Sequence, residues 1–389
     1  MTIIFQLSIA MLFGLLFNRL AKKINLPNVT GYLVAGLLIG KFVFNVFDEQ
    51  TLKSADVLVE VALGFIAFSI GGEFKISELK QIGSKAFIIT LCESCLATLI
   101  VMLSLFALGF DGPTALLLGA IAAATAPAAT LMVVRQYKAK GPITKILLPA
   151  VALDDAVGLI LFSICLGISK VLALGETLSV ANLLLAPLAE IFFSFLLGMA
   201  LGVVLSIALK IFKSQSNRLC VLICMVFLAA SLSSLLNLSS LLVCMSVGGV
   251  MANLSKDYIS MLDINDKWTP PLFMLFFVIS GAELDFSVLP SVGLLGVAYI
   301  LTRSAGKYFG ARLGATIIKA DINIRKYLGV ALLPQAGVAI GMSQIVSMQL
   351  PEYAPQIRAV ILSATLVYEL IGPVLTKIVL TKAGEIEKK

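Results

Sequence analysis

The stretch Pro149-Ala-Val-Ala-Leu-Asp154-Asp155-Ala-Val-Gly-Leu-Ile-Leu-Phe162 places two adjacent carboxylates inside a long apolar run. Lys145 lies nine residues before Asp154, and Lys170 lies fifteen residues after Asp155. At about 1.5 Å per helical residue, the pair is roughly 14 Å from one charged end and roughly 22 Å from the other. That depth is close to the middle of a hydrocarbon core about 30 Å thick. One aspartate there costs about 2.5–3.5 kcal/mol to insert, so two of them indicate a functional site.

The composition is that of a polytopic membrane protein. Of the 389 residues, 59% are hydrophobic and 13% are charged, whereas soluble domains are about 45–50% apolar and about 25% charged. The net charge of +7 does not point to nucleic acid, because the lysines and arginines concentrate in alternate loops. The absence of histidine excludes imidazole metal sites and Ser-His-Asp triads. All six cysteines lie in apolar runs, and the spacing Cys92-Glu-Ser-Cys95 is interpreted as buried packing.

The hydropathy pattern predicts about thirteen transmembrane helices. The apolar runs cover approximately 3–20, 28–46, 54–74, 84–109, 113–135, 145–173, 183–213, 218–236, 239–254, 271–289, 291–317, 327–349 and 357–381. Loops rich in lysine and arginine alternate with loops that hold mainly acids, which predicts an external N-terminus and a cytoplasmic C-terminus. The connection 255–271 is expected to be a short interfacial segment.

Two of the predicted helices are interrupted. The fifth contains Ala122–Thr130 (AAATAPAAT), and the twelfth contains Leu333–Ala339 (LPQAGVA). A tolerated proline kink explains either break alone. Both breaks, seven helices apart and beside the Asp-Asp helix, are typical of an inverted-repeat transporter, in which half-helix ends and freed carbonyls face a site at the midplane.

The two adjacent aspartates are expected to have different roles. Consecutive helical side chains point about 100° apart, so one acid can pair with a base while the other faces a hydrated cavity and binds the ion. Arg303 is the expected counter-ion, because it lies nine residues before Arg312, roughly 14 Å inside the helix end. Lys307 is only about 7 Å deep by the same measure, close enough to snorkel. The alternative is an ion pair that only ties helices together.

Other residues near these charges carry weaker signals. Gly306 and Gly310 are expected to let another helix approach closely. Glu369 is expected to pair with Lys307. Four further acids are interpreted mainly as interfacial or tertiary partners, and the alternative is that they line an ion pathway: Glu60, Glu73, Glu93 and Glu190.

Six segments, in order along nearly the whole chain, carry a family resemblance. They are Thr125–Thr130 (TAPAAT), Leu153–Gly158 (LDDAVG), Phe276–Gly281 (FFVISG), Arg303–Gly306 (RSAG), Pro334–Ala339 (PQAGVA) and Tyr368–Pro373 (YELIGP). Together they resemble the bacterial monovalent cation:proton antiporter-2 family. The resemblance implies a homodimer of thirteen-helix protomers whose fifth and twelfth helices are broken and crossed. It also implies a dimerisation part, about 1–82 and 183–254, and an ion-transporting core, about 83–175 and 271–389.

The resemblance also implies roles for individual residues. By position, Asp155 matches the ion- and proton-carrying acid, and Asp154 matches the acid that pairs with Arg303, so the two aspartates form the expected alkali-cation site. Thr125 and Thr130 match positions beside the ion. The crossover backbone is assigned to Ala126, Pro127, Pro334, Gln335 and Gly337.

Two departures from the family pattern limit what the resemblance implies. Some members have a lysine at the position of Arg303, and that lysine is usually discussed as able to release a proton, which arginine cannot do. Other members end in a cytosolic nucleotide-binding domain, whereas this chain stops at Lys389, so no attached nucleotide-binding domain is expected.

The sequence therefore predicts a secondary-active antiporter, not an enzyme, that exchanges Na⁺ (or Li⁺ or K⁺) for H⁺ by alternating access. Cation and proton would compete for the same midplane aspartates. No cofactor is expected besides the transported ions. The expected location is the cell inner (plasma) membrane, with lipid and a second copy of the chain as partners and no nucleic acid. A potassium efflux channel-like system is an alternative, although no repeated pore loop is present. An organic-anion symporter of similar fold is another, although acids rather than bases dominate.

Overall fold

The computed structural model describes residues 2–40, 43–47, 49–72, 74, 76–174, 180–284 and 289–386. Over these residues the chain forms sixteen helices and no strand. In chain order they are α1 (Ile3–Lys23), α2 (Asn28–Ile39), α3 (Glu49–Gly72), α4 (Ile76–Ala107), α5 (Gly112–Ile121), α6 (Pro127–Gln136), α7 (Pro142–Leu174), α8 (Val180–Ile211), α9 (Gln215–Leu235), α10 (Ser240–Leu254), α11 (Tyr258–Trp268), α12 (Pro270–Glu283), α13 (Leu289–Ile317), α14 (Ile322–Ala331), α15 (Gly337–Gln349) and α16 (Ala354–Lys382).

Six of these helices are long and apolar enough to cross a membrane. They are α1, α7, α9 and α16, with Ser84–Ala107 of α4 and Pro187–Ile211 of α8. Large apolar side chains on them are exposed, for example Leu12 of α1 and Phe192 of α8, as expected where lipid surrounds the helices. The predicted class, an all-α polytopic membrane protein, is confirmed at this level.

One helix departs from the prediction. The segment 255–271, expected to be an interfacial connection, contains α11. A search for apolar runs does not detect this helix, because it carries charges such as Asp263 and Lys267, which form an ion pair one turn apart at 2.6 Å.

By their internal packing the helices form two compact units. Unit 1 comprises Met1–Leu20, Gly31–Gln81 and Leu188–Glu283; unit 2 comprises Ala21–Thr30, Ile82–Pro187 and Leu284–Lys389. In unit 1, α3 runs beside α10 and also packs on α9 and α12. The helix α12 belongs to unit 1, whereas the sequence places 271–389 in the ion-transporting core. The roles of the two parts remain a prediction.

Two apolar clusters build the core of unit 2. They occupy different stretches of α7, with Leu147 in one and Phe162 in the other. They divide α13 in the same way, with Ala311 in one cluster and Tyr299 in the other, and α4 also contributes to both. Between the two clusters, the helical turns of α4, α7 and α13 carry ionisable side chains. These three helices therefore place their charges in one layer.

The two interruptions predicted from sequence are present, and they meet. The gap between α5 and α6 spans 122–126, and the gap between α14 and α15 spans 332–336. The backbone N–H of Ala126 donates to the carbonyl of Pro334 over 2.8 Å, which joins the two extended segments. Each break leaves carbonyls at the C-terminal end of a half-helix without intrahelical partners.

Candidate functional site

Arg303 of α13 holds the broken ends of α5 and α14. Its fully buried guanidinium donates from Nε to Ala122 O at 3.0 Å, from Nη2 to Ala124 O at 2.7 Å and from Nη1 to Leu333 O at 2.8 Å. Its Cζ also lies 4.4 Å from the centroid of the Tyr368 ring. These carbonyls carry the negative ends of two helix dipoles, so a permanently charged guanidinium compensates them.

Lys307, one turn further along α13, faces two acids. Its Nζ lies 2.8 Å from Oδ2 of Asp154 and 2.8 Å from Oε2 of Glu93, and all three side chains are fully buried. The same nitrogen donates to Oγ1 of Thr125 at 2.8 Å and to the carbonyl of Ala123. Because an ammonium has three protons, the bonds to Asp154, Thr125 and Ala123 use all of them. Glu93 is therefore held by charge without a directed hydrogen bond.

The adjacent aspartates have different environments. Oδ1 of Asp154 accepts a hydrogen bond from Ser94 of α4, and its Oδ2 accepts the one from Lys307. Asp155 is 6% exposed, and its Oδ1 has no hydrogen-bond partner among the described residues. A buried carboxylate oxygen without a donor is costly when the group is ionised, so Asp155 gains from binding a proton or a cation.

Two uncharged side chains also satisfy carbonyls at the breaks. Thr125 Oγ1 donates to Leu332 O at 3.3 Å, which leaves its lone pairs to accept from Lys307. The amide nitrogen of Gln335 donates to Ile121 O at 3.0 Å and lies within hydrogen-bond distance of the Tyr299 hydroxyl.

The other predicted crossover residues lie at the starts of the half-helices. Pro127 is the first residue of α6 and Gly337 the first of α15; proline suits that position because it has no N–H to leave unpaired. Ala126 and Pro334 form the backbone link described above. Thr130, in the first turn of α6, donates to Ala126 O at 3.5 Å. Its contact with a transported ion remains a prediction.

The predicted counter-ion is wrong: Asp154 pairs with Lys307, while Arg303 binds backbone carbonyls. The prediction measured depth from Arg312, but α13 continues to Ile317. Lys307 is therefore ten residues from the helix end, about 15 Å, too deep for its ammonium to reach the interface. The site thus contains a lysine, which can release a proton where arginine cannot.

Helix α4 supplies two further residues: Ser94, which was not predicted, and Glu93, which was predicted mainly as an interfacial or tertiary partner. Glu93 and Ser94 lie between Cys92 and Cys95, whose spacing draws attention to the thiols, and both cysteines are free. The available signal was a carboxylate inside an apolar span of 24 residues. The same signal, taken at Asp154 and Asp155, identified the centre of the site.

The predicted close approach through Gly306 and Gly310 is confirmed, and the approaching helix is α4. A Cβ at Gly306 would lie 2.6 Å from the Cα of Ala97, and a Cβ at Gly310 would lie 2.5 Å from the Cα of Glu93. Only glycine allows backbones this close. The two glycines therefore bring Glu93 within reach of Lys307.

Two of the remaining acidic candidates belong to the other compact unit. Glu60 of α3 is exposed and Glu190 of α8 is half-buried; both belong to unit 1, whereas the cluster lies in unit 2. Glu73 lies outside the described residues. Glu369 of α16 is buried, 4% exposed, and its pairing with Lys307 remains a prediction.

The charges in this layer do not balance without added cations. Arg303 is occupied by backbone carbonyls, so Lys307 alone faces Glu93 and Asp154, with Asp155 adjacent in sequence. Three ionised carboxylates beside one ammonium in a buried site would leave uncompensated negative charge, which is strongly unfavourable. Protons or an alkali cation, which binds oxygen ligands, can supply the missing charge. The arrangement can therefore hold either kind of ion.

Comparison with known proteins agrees with this chemistry. The family model described as "Sodium/hydrogen exchanger, transmembrane" matches residues 7–382. The "High-affinity Na(+)/H(+) antiporter NhaS3" of Synechocystis sp. is 24% identical over 371 residues, which cover 83% of this chain and 78% of that protein. "Na(+)/H(+) antiporter 1" of Methanocaldococcus jannaschii is 28% identical over 171 residues, 42% of this chain and 39% of that protein.

Solved structures resemble the fold over the whole chain. The sodium proton antiporter MjNhaP1 from Methanocaldococcus jannaschii, determined by electron microscopy, aligns with a TM-score of 0.72 at 19% identity, covering 98% of this chain and 94% of that one. A second structure of the same protein, at pH 8, aligns with a TM-score of 0.67 over 98% and 96%. At this identity the likeness supports the fold alone.

Proposed function

This chain belongs to the transmembrane sodium/hydrogen exchanger family, a family of membrane cation/proton antiporters and not of enzymes, and from that premise we propose how its buried carboxylates exchange Na⁺ for H⁺. The transported ions are substrates, so no cofactor is needed. The names of the relatives, Na(+)/H(+) antiporters, favour Na⁺ over Li⁺ and K⁺ as the first candidate. The channel-like and organic-anion alternatives are not favoured by the family.

The environment of Asp155 carries the proposal. Its Oδ1 is buried and has no donor among the described residues, while the neighbouring Asp154 is held by Ser94 and Lys307. Asp155 is therefore the acid whose charge depends on what binds to it. A proton or a Na⁺ neutralises the same carboxylate, so binding of one excludes the other, and this competition couples the two fluxes.

In the proposed cycle, a cation reaches the site from one side and displaces the proton of Asp155. Oxygens of Asp154, Thr125 and Thr130 complete the coordination, as oxygen-rich sites do for hard cations. The site then opens to the other side, where protons displace the cation. Arg303 stays charged throughout and holds the carbonyls at the breaks, so it carries no proton.

The pairing of Asp154 with lysine changes what the cycle permits. If Asp155 alone changes protonation, one proton moves per cation and exchange is electroneutral. A second proton would need a second carrier, and the structure offers Lys307 and the acids beside it. Current measurements on the reconstituted protein separate the two stoichiometries.

The architecture proposed for this cycle has thirteen transmembrane spans. Each interrupted pair of half-helices counts as one span, crossing the other near the link between Ala126 and Pro334. Helix α11 is left out, since its 11 residues are only about 16 Å long. Unit 2, which holds every charged residue of the cluster, serves as the moving part, and residues 1–82 and 183–254 provide a homodimer interface. The N-terminus lies outside and the C-terminus in the cytoplasm of a cell inner membrane, surrounded by lipid.

Proteoliposomes with an imposed pH gradient test the proposal directly. Adding Na⁺ should dissipate an acidic interior, seen as dequenching of a pH-sensitive dye, and Li⁺ and K⁺ added separately give the selectivity. Choline should give no response. In Asp155→Asn the response should fall at least about 100-fold, because the carboxylate that binds both ions is gone.

Glu60→Gln is the matched control, since it neutralises an exposed acid of unit 1 and should exchange at the wild-type rate. Monodisperse elution of Asp155→Asn from size-exclusion chromatography shows that it is folded. Exchange by folded Asp155→Asn at the wild-type rate would contradict the proposal, as would cation flux without proton movement in the unaltered protein.

A further inference from the structure

Glu93 is a fully buried acid that exchange at Asp155 does not use. It lies on α4, and Oε2 is 2.8 Å from Nζ of Lys307. Neither of its carboxyl oxygens has a hydrogen-bond partner among the described residues. A carboxylate that only anchors a lysine in a protein interior normally has its remaining oxygens satisfied by donors. Glu93 does not have the environment of a purely structural ion-pair partner.

The geometry around Lys307 explains why Glu93 receives no hydrogen bond. The three protons of the ammonium are directed to Asp154, Thr125 and Ala123. The oxygen of Glu93 is as close to the nitrogen as the oxygen of Asp154, yet no proton is left for it. Two acids therefore compete for one ammonium, and only one of them holds a hydrogen bond from it.

Oε2 of Glu93 and Oδ2 of Asp154 each lie 2.8 Å from the same atom, Nζ of Lys307, so the two carboxyl groups are neighbours. Two carboxylates have no proton to share and repel, whereas a carboxyl and a carboxylate form a strong hydrogen bond and titrate as a pair. The charged groups that act on Glu93 are Asp154 of α7 and Lys307 of α13, with the thiol of Cys95 nearby on its own helix. One shared proton makes this three-residue cluster neutral.

We propose that Glu93 is a proton carrier: it shares a proton with Asp154 in the cation-free site and releases that proton when the cation binds. The inference rests on the proposed antiport and specifies its stoichiometry. It assigns the second proton to a carboxylic acid of α4 and leaves Lys307 charged throughout the cycle.

The charges and protons of this cycle balance. In the cation-free site, Asp155 holds one proton, Glu93 and Asp154 share another, and Lys307 is an ammonium, so the net charge is zero. When Na⁺ binds between the two aspartates, both protons leave. Lys307 then takes Glu93 as its counter-ion, because Asp154 now faces the cation. One Na⁺ has replaced two H⁺, and one charge moves per cycle.

The variant Glu93→Gln removes the shared proton and leaves Asp154, Asp155 and Lys307 unchanged. Asp154 then remains ionised against Lys307 until Na⁺ binds, and only the proton of Asp155 is exchanged. Exchange should persist, but the transport current recorded on a solid-supported membrane, relative to the dequenching rate, should fall at least about tenfold. A merely structural role would lower current and dequenching together.

A second variant tests whether Glu93 or Lys307 carries the second proton. In Lys307→Arg the cation at this position cannot lose a proton. The proposal predicts that the transport current is retained, because Glu93 still supplies the second proton. The double variant Glu93→Gln/Lys307→Arg should exchange without current, like Glu93→Gln alone. The number of protons released per bound Na⁺ can also be measured directly, without transport, on the protein in weakly buffered detergent. We expect two protons per Na⁺ in the unaltered protein and one in Glu93→Gln.

Specific results would overturn the inference. An unchanged current-to-dequenching ratio in folded Glu93→Gln would do so, and so would loss of current in Lys307→Arg with its proton count reduced to one. Electroneutral exchange by the unaltered protein would also overturn it while leaving the proposed antiport intact. Absence of any Na⁺-dependent dequenching would instead overturn the proposed function.

Discussion

Nζ of Lys307 lies 2.8 Å from Oδ2 of Asp154, and both side chains are fully buried. Removing one partner of a buried ion pair typically costs about 3–5 kcal/mol, because a charge is left without compensation. Here the ammonium has a second acid, Glu93, at the same distance. The two acids can therefore substitute for each other as counter-ions.

This redundancy predicts a strongly non-additive pair of substitutions. Asp154→Asn and Glu93→Gln should each lower the thermal midpoint in detergent modestly, since Lys307 keeps one acid. The double variant should lose far more than the sum, about 3–5 kcal/mol, because neither of the two acids that contact the ammonium remains ionisable. Adding Lys307→Met to the double variant should restore much of the loss. Simple additivity of the two single effects would refute the shared-counter-ion arrangement.

Arg303 should be needed for the structure of the two helix breaks and should not affect the number of protons transported per cation. The guanidinium of Arg303 reaches its three carbonyls with three separate nitrogens. Arg303→Lys offers one nitrogen at one position, so at least one charge-assisted hydrogen bond should be lost, about 1.5–3 kcal/mol. We expect a lower thermal midpoint and slower exchange with the same current-to-dequenching ratio. The matched control is Arg312→Lys, an exposed arginine of the same helix, which should match the unaltered protein. A changed ratio in Arg303→Lys would give Arg303 a part in proton movement.

Close contact between α13 and α4 should not tolerate a methyl group at Gly310. The Cβ of Gly310→Ala would lie 2.5 Å from the Cα of Glu93, so the helices must separate and Glu93 moves away from Lys307. Exchange and thermal midpoint should both fall. Gly341→Ala is the control, because no atom lies within 4 Å of a Cβ at that helical position and alanine favours the helix by about 1 kcal/mol. Equal behaviour of the two variants would contradict the packing.

The segment after α16 caps the helix that carries the aspartates. Glu385 Oε1 accepts from the N–H of Ile143 at 2.6 Å, and its Oε2 accepts from the N–H and hydroxyl of Thr144 at 2.8 and 2.6 Å. A carboxylate at a helix N-terminus also complements the dipole. Glu385→Ala should therefore lower the thermal midpoint by the equivalent of about 2 kcal/mol. Glu352→Ala, which removes an exposed acid of unit 2, should not, and equal loss in both would mean that the cap contributes nothing.

Competition for carboxylates sets the direction of the pH dependence. Lowering the pH protonates the acids that bind the cation, so the apparent KM for Na⁺ should rise as pH falls. By linkage, the rise is roughly tenfold per pH unit for each proton displaced. Initial rates of dequenching at several external Na⁺ concentrations and several external pH values measure it, because Na⁺ and protons compete on the side to which Na⁺ is added. A KM independent of pH over the whole range would mean that proton and cation use separate sites.

Several features were predictable from sequence because they depend on local patterns. Apolar runs of membrane length, loop charges and two proline-containing breaks are properties of consecutive residues, and they predict a helical membrane protein with interrupted helices. Asp154 and Asp155 stood out for the same reason, since a charge at the middle of an apolar run has a known cost. The family model and the helices confirm this level of description.

The partners of the charges depended on how helices pack, and no local pattern contains that. Whether Arg303 or Lys307 contacts Asp154 is decided by the rotation of α13 and by its extension to Ile317. Because the helix continues past Arg312, the lysine lies more than one turn further from the helix end than the position of Arg312 suggests. Glu93 joins the site only because two glycines bring α4 against α13. The sequence by itself determined that this protein buries acids in a membrane and interrupts two helices beside them. The tertiary structure alone decided which cation compensates which acid, because electrostatic pairing in a low-dielectric interior depends on distances of a few ångströms between residues far apart in the chain.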